Sequence, residues 1–211
     1  MYLYSTMRSY VEAASSAKPT PGGGSIAAAA GALGMSMACM AANFTVGKKK
    51  FKAVEGEVRK QLDACMKARD ELLRLMDEDT QAYAEVSAAY AMPKETAEDK
   101  AARTAAIQSA LVVAMDAPLK AVRACRVALQ ATDALVEVAN PNLISDVGVA
   151  ALLCEAALRA AKLNVEINLH SLKDDTLVEK TRAEIEEAAA EGKAYATAVM
   201  TRVVKAVGGT I

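Results

Sequence analysis

The chain has 211 residues, of which 53% are hydrophobic and 24% charged, a composition that supports a large core and excludes a disordered chain. Its 25 Lys and Arg residues nearly balance 26 Asp and Glu residues, so the basic excess of a general nucleic-acid-binding protein is absent. Aromatic residues make up only 4%, too few for a groove that stacks single-stranded bases. The prevalence of Ala, Leu, Val and Met favours close-packed helices.

We expect one domain over residues 1–211, made almost wholly of helices. The first helix is predicted from Tyr2 to Ser16. The segment Lys18–Gly24 forms a sharp loop, because its two prolines and three glycines cannot hold a helix. Gly24 or Ser25 caps a second helix that continues to about Val46. That helix is apolar on every face, which predicts a central position.

Two long helices are predicted next. The third runs from about Phe51 to Tyr90, with apolar residues recurring every three, four or seven positions, and Pro93 ends it. The fourth begins near Thr96, and we expect Pro118 to kink or split it near Asp116.

The last two helices complete the predicted architecture. The fifth, capped by Ser145 or Asp146, ends near Leu169, and the sixth runs from within 173–176 to about Val207. Long helices joined by short turns predict an all-α, up-and-down bundle of about six helices. The excess of apolar faces favours a homodimer.

The composition also limits cofactors and cellular location. Four well-separated cysteines with apolar neighbours are interpreted as reduced core thiols of a cytoplasmic protein. One histidine, His170, excludes a His-rich zinc site, and we expect no metal or redox cofactor. His170 either stabilises a helix end or acts as a base. Residues 25–47 are uncharged, but their Ala, Gly and Ser content favours a buried helix over a membrane span or signal peptide.

A glycine-rich loop leads into the second helix. Such a loop presents unpaired N–H groups that suit an anion or a developing oxyanion. The loop alone is explained equally well as a tight turn with a helix cap. It matches neither a Walker A nor a dinucleotide-binding motif. Its residues are Pro21, Gly22, Gly23, Gly24 and Ser25.

Three consecutive lysines, Lys48, Lys49 and Lys50, follow Gly47 at the end of the second helix. Gly47 fits a helix C-cap, and cations stabilise that end of a helix. The same lysines could instead form a cationic cradle for a polycarboxylate or phosphate.

Two further polar groups are candidates for chemistry. Asn140, Ser145 and Asp146 are ordinary helix caps, but they also place a possible base beside an apolar bundle. Asp79 lies on the apolar stripe of the third helix, so it is either paired with an arginine or lines a site with a shifted pKa.

Three asparagines lie where the pattern predicts burial. Asn43 falls in the central helix, and Asn164 and Asn168 lie one turn apart on the fifth. A buried amide needs hydrogen-bond partners, which a ligand could supply.

These motifs, in this order, resemble the cyclodeaminase/cyclohydrolase family. The resemblance rests on the Pro21–Ser25 loop, the Ala- and Gly-rich helix through Asn43, the Gly47–Lys50 run, and Asn140 followed by Ser145 and Asp146. It covers essentially the whole chain. It implies an all-helical homodimer that binds a one-carbon tetrahydrofolate near the subunit interface.

The resemblance also implies an activity. We expect a methenyltetrahydrofolate cyclohydrolase, with formiminotetrahydrofolate cyclodeaminase as the alternative and a non-catalytic folate-binding dimer as the second alternative. The substrate is expected to be polyglutamylated, and no nucleic acid or membrane partner is expected.

Roles for individual residues follow from the same resemblance. Asp146 is expected to face the reacting amidine or the pterin, with Asp79 as the second candidate. The pterin would be oriented by Asn43, Asn140 and Ser145. Residues 21–25 would line the pocket, and residues 48–50 would meet the glutamate tail.

Overall fold

The computed structural model describes residues 1–209, which form six α-helices and no strand. The predicted all-α class is therefore confirmed. Short 3-10 helices precede α1, α3 and α5, at Tyr2–Tyr4, Lys49–Phe51 and Pro141–Leu143. The six helices are α1 (Met7–Ala14), α2 (Gly23–Asn43), α3 (Glu55–Tyr90), α4 (Ala97–Val136), α5 (Ile144–Leu169) and α6 (Asp175–Ala206).

Helix α2 lies at the centre, packed chiefly against α3 and α5, as its apolar sequence predicts. Small residues allow that close approach. A Cβ atom at Gly31 would lie 3.0 Å from Leu72 Cδ1, and one at Gly34 would lie 3.1 Å from the Ala150 carbonyl oxygen. The two glycines therefore set the spacing between α2 and its neighbours.

Helix α1 and the start of α2 differ from the prediction. The helix expected over 2–16 is shorter, because the Thr6 side chain caps α1 by accepting from the Ser9 N–H. Gly22 is the N-cap of α2, so neither Gly24 nor Ser25 caps it. Ser25 is fully buried instead.

Helix α4 continues through Pro118 and is not split there. Pro118 and its neighbours Ala117 and Leu119 are buried, so packing on the rest of the bundle holds the helix despite one missing hydrogen bond. The proline has no N–H for the Ala114 carbonyl four residues earlier. The start of α4 has the predicted Thr96 cap, which forms a capping box with Asp99.

The cap of α5 differs from the prediction, whereas α6 begins within the predicted segment 173–176. Leu143 is the N-cap of α5, so the expected caps Ser145 and Asp146 lie inside its first turn. Asp174 caps α6 by accepting from the Leu177 N–H.

The four cysteines are buried and unpaired, as the interpretation as core thiols requires. Burial raises the pKa of Cys65 and of Cys125 to about 12. Thiols with such a pKa stay protonated at neutral pH and are poor nucleophiles.

By length and composition, α2 and α4 are apolar enough to cross a membrane. The packing of α2 gives a different explanation, because 61% of its apolar stretch is buried inside the bundle. A helix that is apolar on every face is typical of the core of a helical bundle.

Candidate active site

The N-terminus of α2 holds the carboxylate of Asp79 from α3. The Ser25 N–H donates to Asp79 Oδ2 at 2.9 Å. Among residues 1–209 no arginine or lysine pairs with Asp79, so the ion-pair reading is wrong. The protein's own carboxylate thus takes one of the first-turn donors that the glycine loop was expected to offer an external anion.

Glycine is needed at two loop positions because other side chains come very close. A Cβ atom at Gly24 would overlap the Asp79 carboxylate, and one at Gly23 would lie 3.0 Å from Asn164 Oδ1. The loop is therefore more than a tight turn, since it admits a carboxylate and an amide against the helix backbone.

Burial raises the pKa of the Asp79 carboxyl, and the hydrogen bond from the Ser25 N–H offsets part of that rise. Behind it, the buried hydroxyls of Tyr10 and Ser25 lie 2.9 Å apart. Asp77, two residues before Asp79, is buried, whereas Asp79 is half-buried. Asp77 accepts from the Tyr2 N–H and holds the N-terminal segment. Of these two carboxylates, only Asp79 is available for chemistry.

A cavity of about 340 Å³ opens beside Asp79. Asp79, Tyr83, Val86 and Tyr90 follow one another at helical spacing along one face of α3 and form one wall. Tyr83 and Tyr90 fit the apolar spacing of the third helix, which predicts core positions, so their place in the wall of this cavity was not predicted. Their spacing from Asp79 is the signal that could have identified them. The other lining residues are Pro19, Thr20, Gly22, Gly23, Leu111, Ala114, Asn164, Ile167, Asn168 and Ser171.

The remaining predicted site residues lie at the opposite end of α2. Thr45 is buried there, and its hydroxyl accepts the Asn140 N–H at 2.8 Å, which joins the end of α2 to the α4–α5 connection. Asn140 also accepts from the Asn142 N–H, so its side chain caps a turn. Asp146 is half-buried and Ser145 is exposed.

At this end of α2 the structure corrects the expected burial of Asn43 and places the three lysines at the surface. Asn43 is exposed, not buried, because it lies on the solvent side of the last turn of α2, whose residues Ala41 and Ala42 are fully buried. Lys48, Lys49 and Lys50 are all exposed, and Gly47 has the positive φ of 74° that suits a C-terminal glycine.

His170 is exposed at the C-cap of α5, the position expected for it.

The predicted residues therefore form two groups within one chain. The 21 residues of α2 separate them by roughly 30 Å, at 1.5 Å of rise per residue. We call the Gly22–Ser25 loop with Asp79 the glycine-loop end, and Asn43, Lys48–Lys50 and Asn140–Asp146 the lysine end. One subunit does not bring these two groups into a single site.

No set of three or more His, Cys, Asp or Glu side chains within 1–209 is arranged to hold a metal ion. The groups that the structure places at the glycine-loop end are a half-buried carboxyl group, helix N–H donors and amide oxygens.

Comparison with known proteins identifies the family. The model of the formiminotransferase-cyclodeaminase family matches residues 6–187. A methenyltetrahydrofolate cyclohydrolase of Methylorubrum extorquens is 40% identical over 90% of this chain and 91% of that protein. A formimidoyltransferase-cyclodeaminase of Rattus norvegicus is 34% identical over 94% of this chain but only 37% of that protein, so the chain spans little more than a third of such relatives.

A solved structure agrees with both sequence comparisons. The crystal structure of formiminotetrahydrofolate cyclodeaminase from Thermotoga maritima superposes with a TM-score of 0.78, at 32% identity and 96% coverage of each chain. The chain therefore belongs to the formiminotransferase-cyclodeaminase family.

Proposed function

We propose that the protein is a methenyltetrahydrofolate cyclohydrolase, which converts 5,10-methenyltetrahydrofolate and water to 10-formyltetrahydrofolate. The observation that carries this proposal is the Asp79 carboxyl, whose pKa burial raises, at the edge of a cavity with aromatic and apolar walls. The cyclohydrolase relative of similar length supports it, because that relative is matched over nearly its whole chain.

The reaction suits such a carboxylate. Water adds to the cationic carbon between N5 and N10, and Asp79 accepts the proton that the water loses. The hydroxyl of the tetrahedral intermediate then loses its proton to solvent as the carbonyl forms. The bond from carbon to N5 breaks, and the carboxyl returns its own proton to N5, so the overall reaction releases one proton. A base with a raised pKa performs both transfers near neutral pH, and such a group typically contributes about 10²–10⁴-fold.

We propose that a homodimer completes the site. Helix α2 has an exposed apolar stripe that includes Ile26 and Leu33, and the adjacent α5 has one that includes Val149 and Leu152. A two-fold axis across the middle of α2 would set it antiparallel to the partner's α2. The glycine-loop end of one subunit would then face the lysine end of the other, with Asp146 turned toward the cationic amidine.

The dimer predicts a specific effect of Leu33→Glu. A charge placed on the shared stripe should convert the dimer to monomer and remove turnover, because the two half-sites separate. Light scattering after gel filtration measures the mass. Val127→Glu is the matched control, since Val127 is 50% exposed against 49% for Leu33 but lies on α4. An active dimer with glutamate at position 33 would contradict this arrangement.

We further propose that Lys48, Lys49 and Lys50 bind the polyglutamate tail of the folate. All three are exposed and lie in or beside one short turn, where their charges can meet successive carboxylates.

Lys48→Ala should raise KM for a polyglutamylated substrate more than for the monoglutamate and leave kcat nearly unchanged, because a tail contact is uniform binding. Steady-state kinetics gives KM and kcat for both substrates. The difference in KM should be smaller at high salt, because salt screens exposed charge pairs. Lys52→Ala is the control. A loss confined to kcat would place Lys48 in the chemistry instead.

The alternative activity is that of a cyclodeaminase, which the Thermotoga maritima structure and the longer relatives favour. There N10 would attack the formimino carbon on N5 and ammonia would leave. The test offers 5,10-methenyltetrahydrofolate and 5-formiminotetrahydrofolate separately and follows the methenyl chromophore and ammonia. Methenyl loss without ammonia activity supports the cyclohydrolase, and ammonia release supports the cyclodeaminase. Binding without turnover of either would leave a folate-binding dimer.

We also propose a cytoplasmic location without a membrane partner. The buried, unpaired thiols suit a reducing compartment, and α2 has its apolar surface covered largely by protein.

A further inference from the structure

We propose that Asn164 and Asn168 determine substrate specificity by accepting hydrogen bonds from N–H groups on the edge of the pterin ring, the 2-amino group among them. This inference rests on the proposed function, because it names the part of the folate that the cavity beside Asp79 reads.

The orientation of both amides is fixed by their neighbours. Asn164 Nδ2 donates to the Ala160 carbonyl at 2.8 Å, and Asn168 Nδ2 donates to the Asn164 carbonyl at 2.8 Å. A carbonyl only accepts, so the amide nitrogen must be the atom that faces it. The Oδ1 atom of each side chain is thereby left as the acceptor, and no N–H or O–H of residues 1–209 donates to either oxygen.

Both asparagines line the cavity beside Asp79. Asn164 Oδ1 lies beside Gly23 at the cavity wall, and Asp79 lies beside the next glycine. A wall with amide and carboxylate acceptors selects a ligand edge with several N–H donors.

The other walls favour a flat ring. Tyr83 and Tyr90 are each about half exposed at the cavity, and Leu111 and Ile167 are also in its lining. The volume of about 340 Å³ is at the lower end for ligand pockets, so it suits a bicyclic ring and not a whole folate. The reduced pterin meets both demands, since it is largely flat and has a 2-amino group next to a ring N–H.

The experiment compares two ring fragments on the purified protein. Calorimetry measures the dissociation constants of 6-methyltetrahydropterin and of its analogue with a methyl group in place of the 2-amino group. The wild type should bind the amino compound about tenfold more tightly, the usual effect of one lost hydrogen bond. The double variant Asn164→Leu with Asn168→Leu should bind both alike, and Gln130→Leu, an exposed amide on α4, should keep the wild-type ratio.

The ratio of the two fragment dissociation constants and the turnover assay test different proposals. A wild type that does not distinguish the fragments, or a folded double variant that keeps the wild-type ratio, would overturn the inference while leaving any measured turnover intact. Absence of turnover with a normal ratio would reject only the enzymatic proposal. If the leucine pair does not fold, Asn164→Ala with Asn168→Ala applies the same test, because alanine is the best helix former.

Discussion

Asp79→Asn is expected to lower kcat by about 10²–10⁴-fold while the protein stays folded, because asparagine keeps an oxygen for the Ser25 N–H but cannot accept the proton from water. Stopped-flow measurement of methenyl loss gives kcat, and circular dichroism gives the helix content. Asp63→Asn, which changes an exposed carboxylate on the same helix, is the control and should retain wild-type turnover.

The pH dependence of the same variant tests the electrostatics. In the wild type, kcat/KM should fall as the pH drops through the raised pKa of Asp79, because protonation removes the base. That acidic limb should lie above the ordinary carboxyl pKa of 3.8.

Stability should respond in the opposite sense to activity. A raised pKa means that the folded state holds the proton more tightly than the unfolded state, so stability falls as the pH rises from 3.8 through the raised value. The uncharged amide introduced by Asp79→Asn avoids that cost, and the Tm of this variant at neutral pH should equal or exceed that of the wild type. The gain should shrink at lower pH.

Two results would contradict the role of Asp79. Full activity in Asp79→Asn would remove it from the chemistry, and if Asp146→Asn were inactive at the same time, Asp146 would be the proton-transfer group. An acidic limb that is identical in the wild type and in Asp79→Asn would likewise assign the titration to another group.

The helical architecture could be predicted because it depends on patterns within each segment. Apolar spacing located α3, and Thr96 with Asp99 located the start of α4. One error, the expected split at Pro118, occurred where packing overrides a local preference. Pro118 would break an isolated helix, but the buried surroundings of α4 hold it intact, and this information is not in the segment itself.

The site was harder to predict, for a geometric reason. The chemistry-bearing residues were recognised one by one, but the length of α2 places the glycine-loop end and the lysine end roughly 30 Å apart in one chain. The predicted length of the second helix already implies this separation, but the resemblance grouped the residues by function and not by their position along the helix. The approach of Asp79 to Gly24 was hidden, because the two residues belong to different helices and touch only after packing.

That approach makes Gly24→Ala the second substitution with a large expected effect. A methyl group at position 24 would overlap the Asp79 carboxylate, so either the carboxylate moves off the Ser25 N–H or α2 shifts away from α3. Overpacking of this kind costs about 1–3 kcal/mol, and displacement of Asp79 should remove most of the turnover. Thermal unfolding and kcat are the two measurements.

Gly56→Ala is the matched control for this substitution. Gly56 lies in the first turn of α3 with no atom near its missing Cβ, so alanine there should leave kcat unchanged and stabilise the helix by about 0.5–1 kcal/mol. Opposite signs of the stability change at positions 24 and 56 would show that the glycine loop serves the close approach of Asp79. Wild-type kcat and Tm in Gly24→Ala would mean that the carboxylate is not held against α2, and the proposed base would lose its structural support.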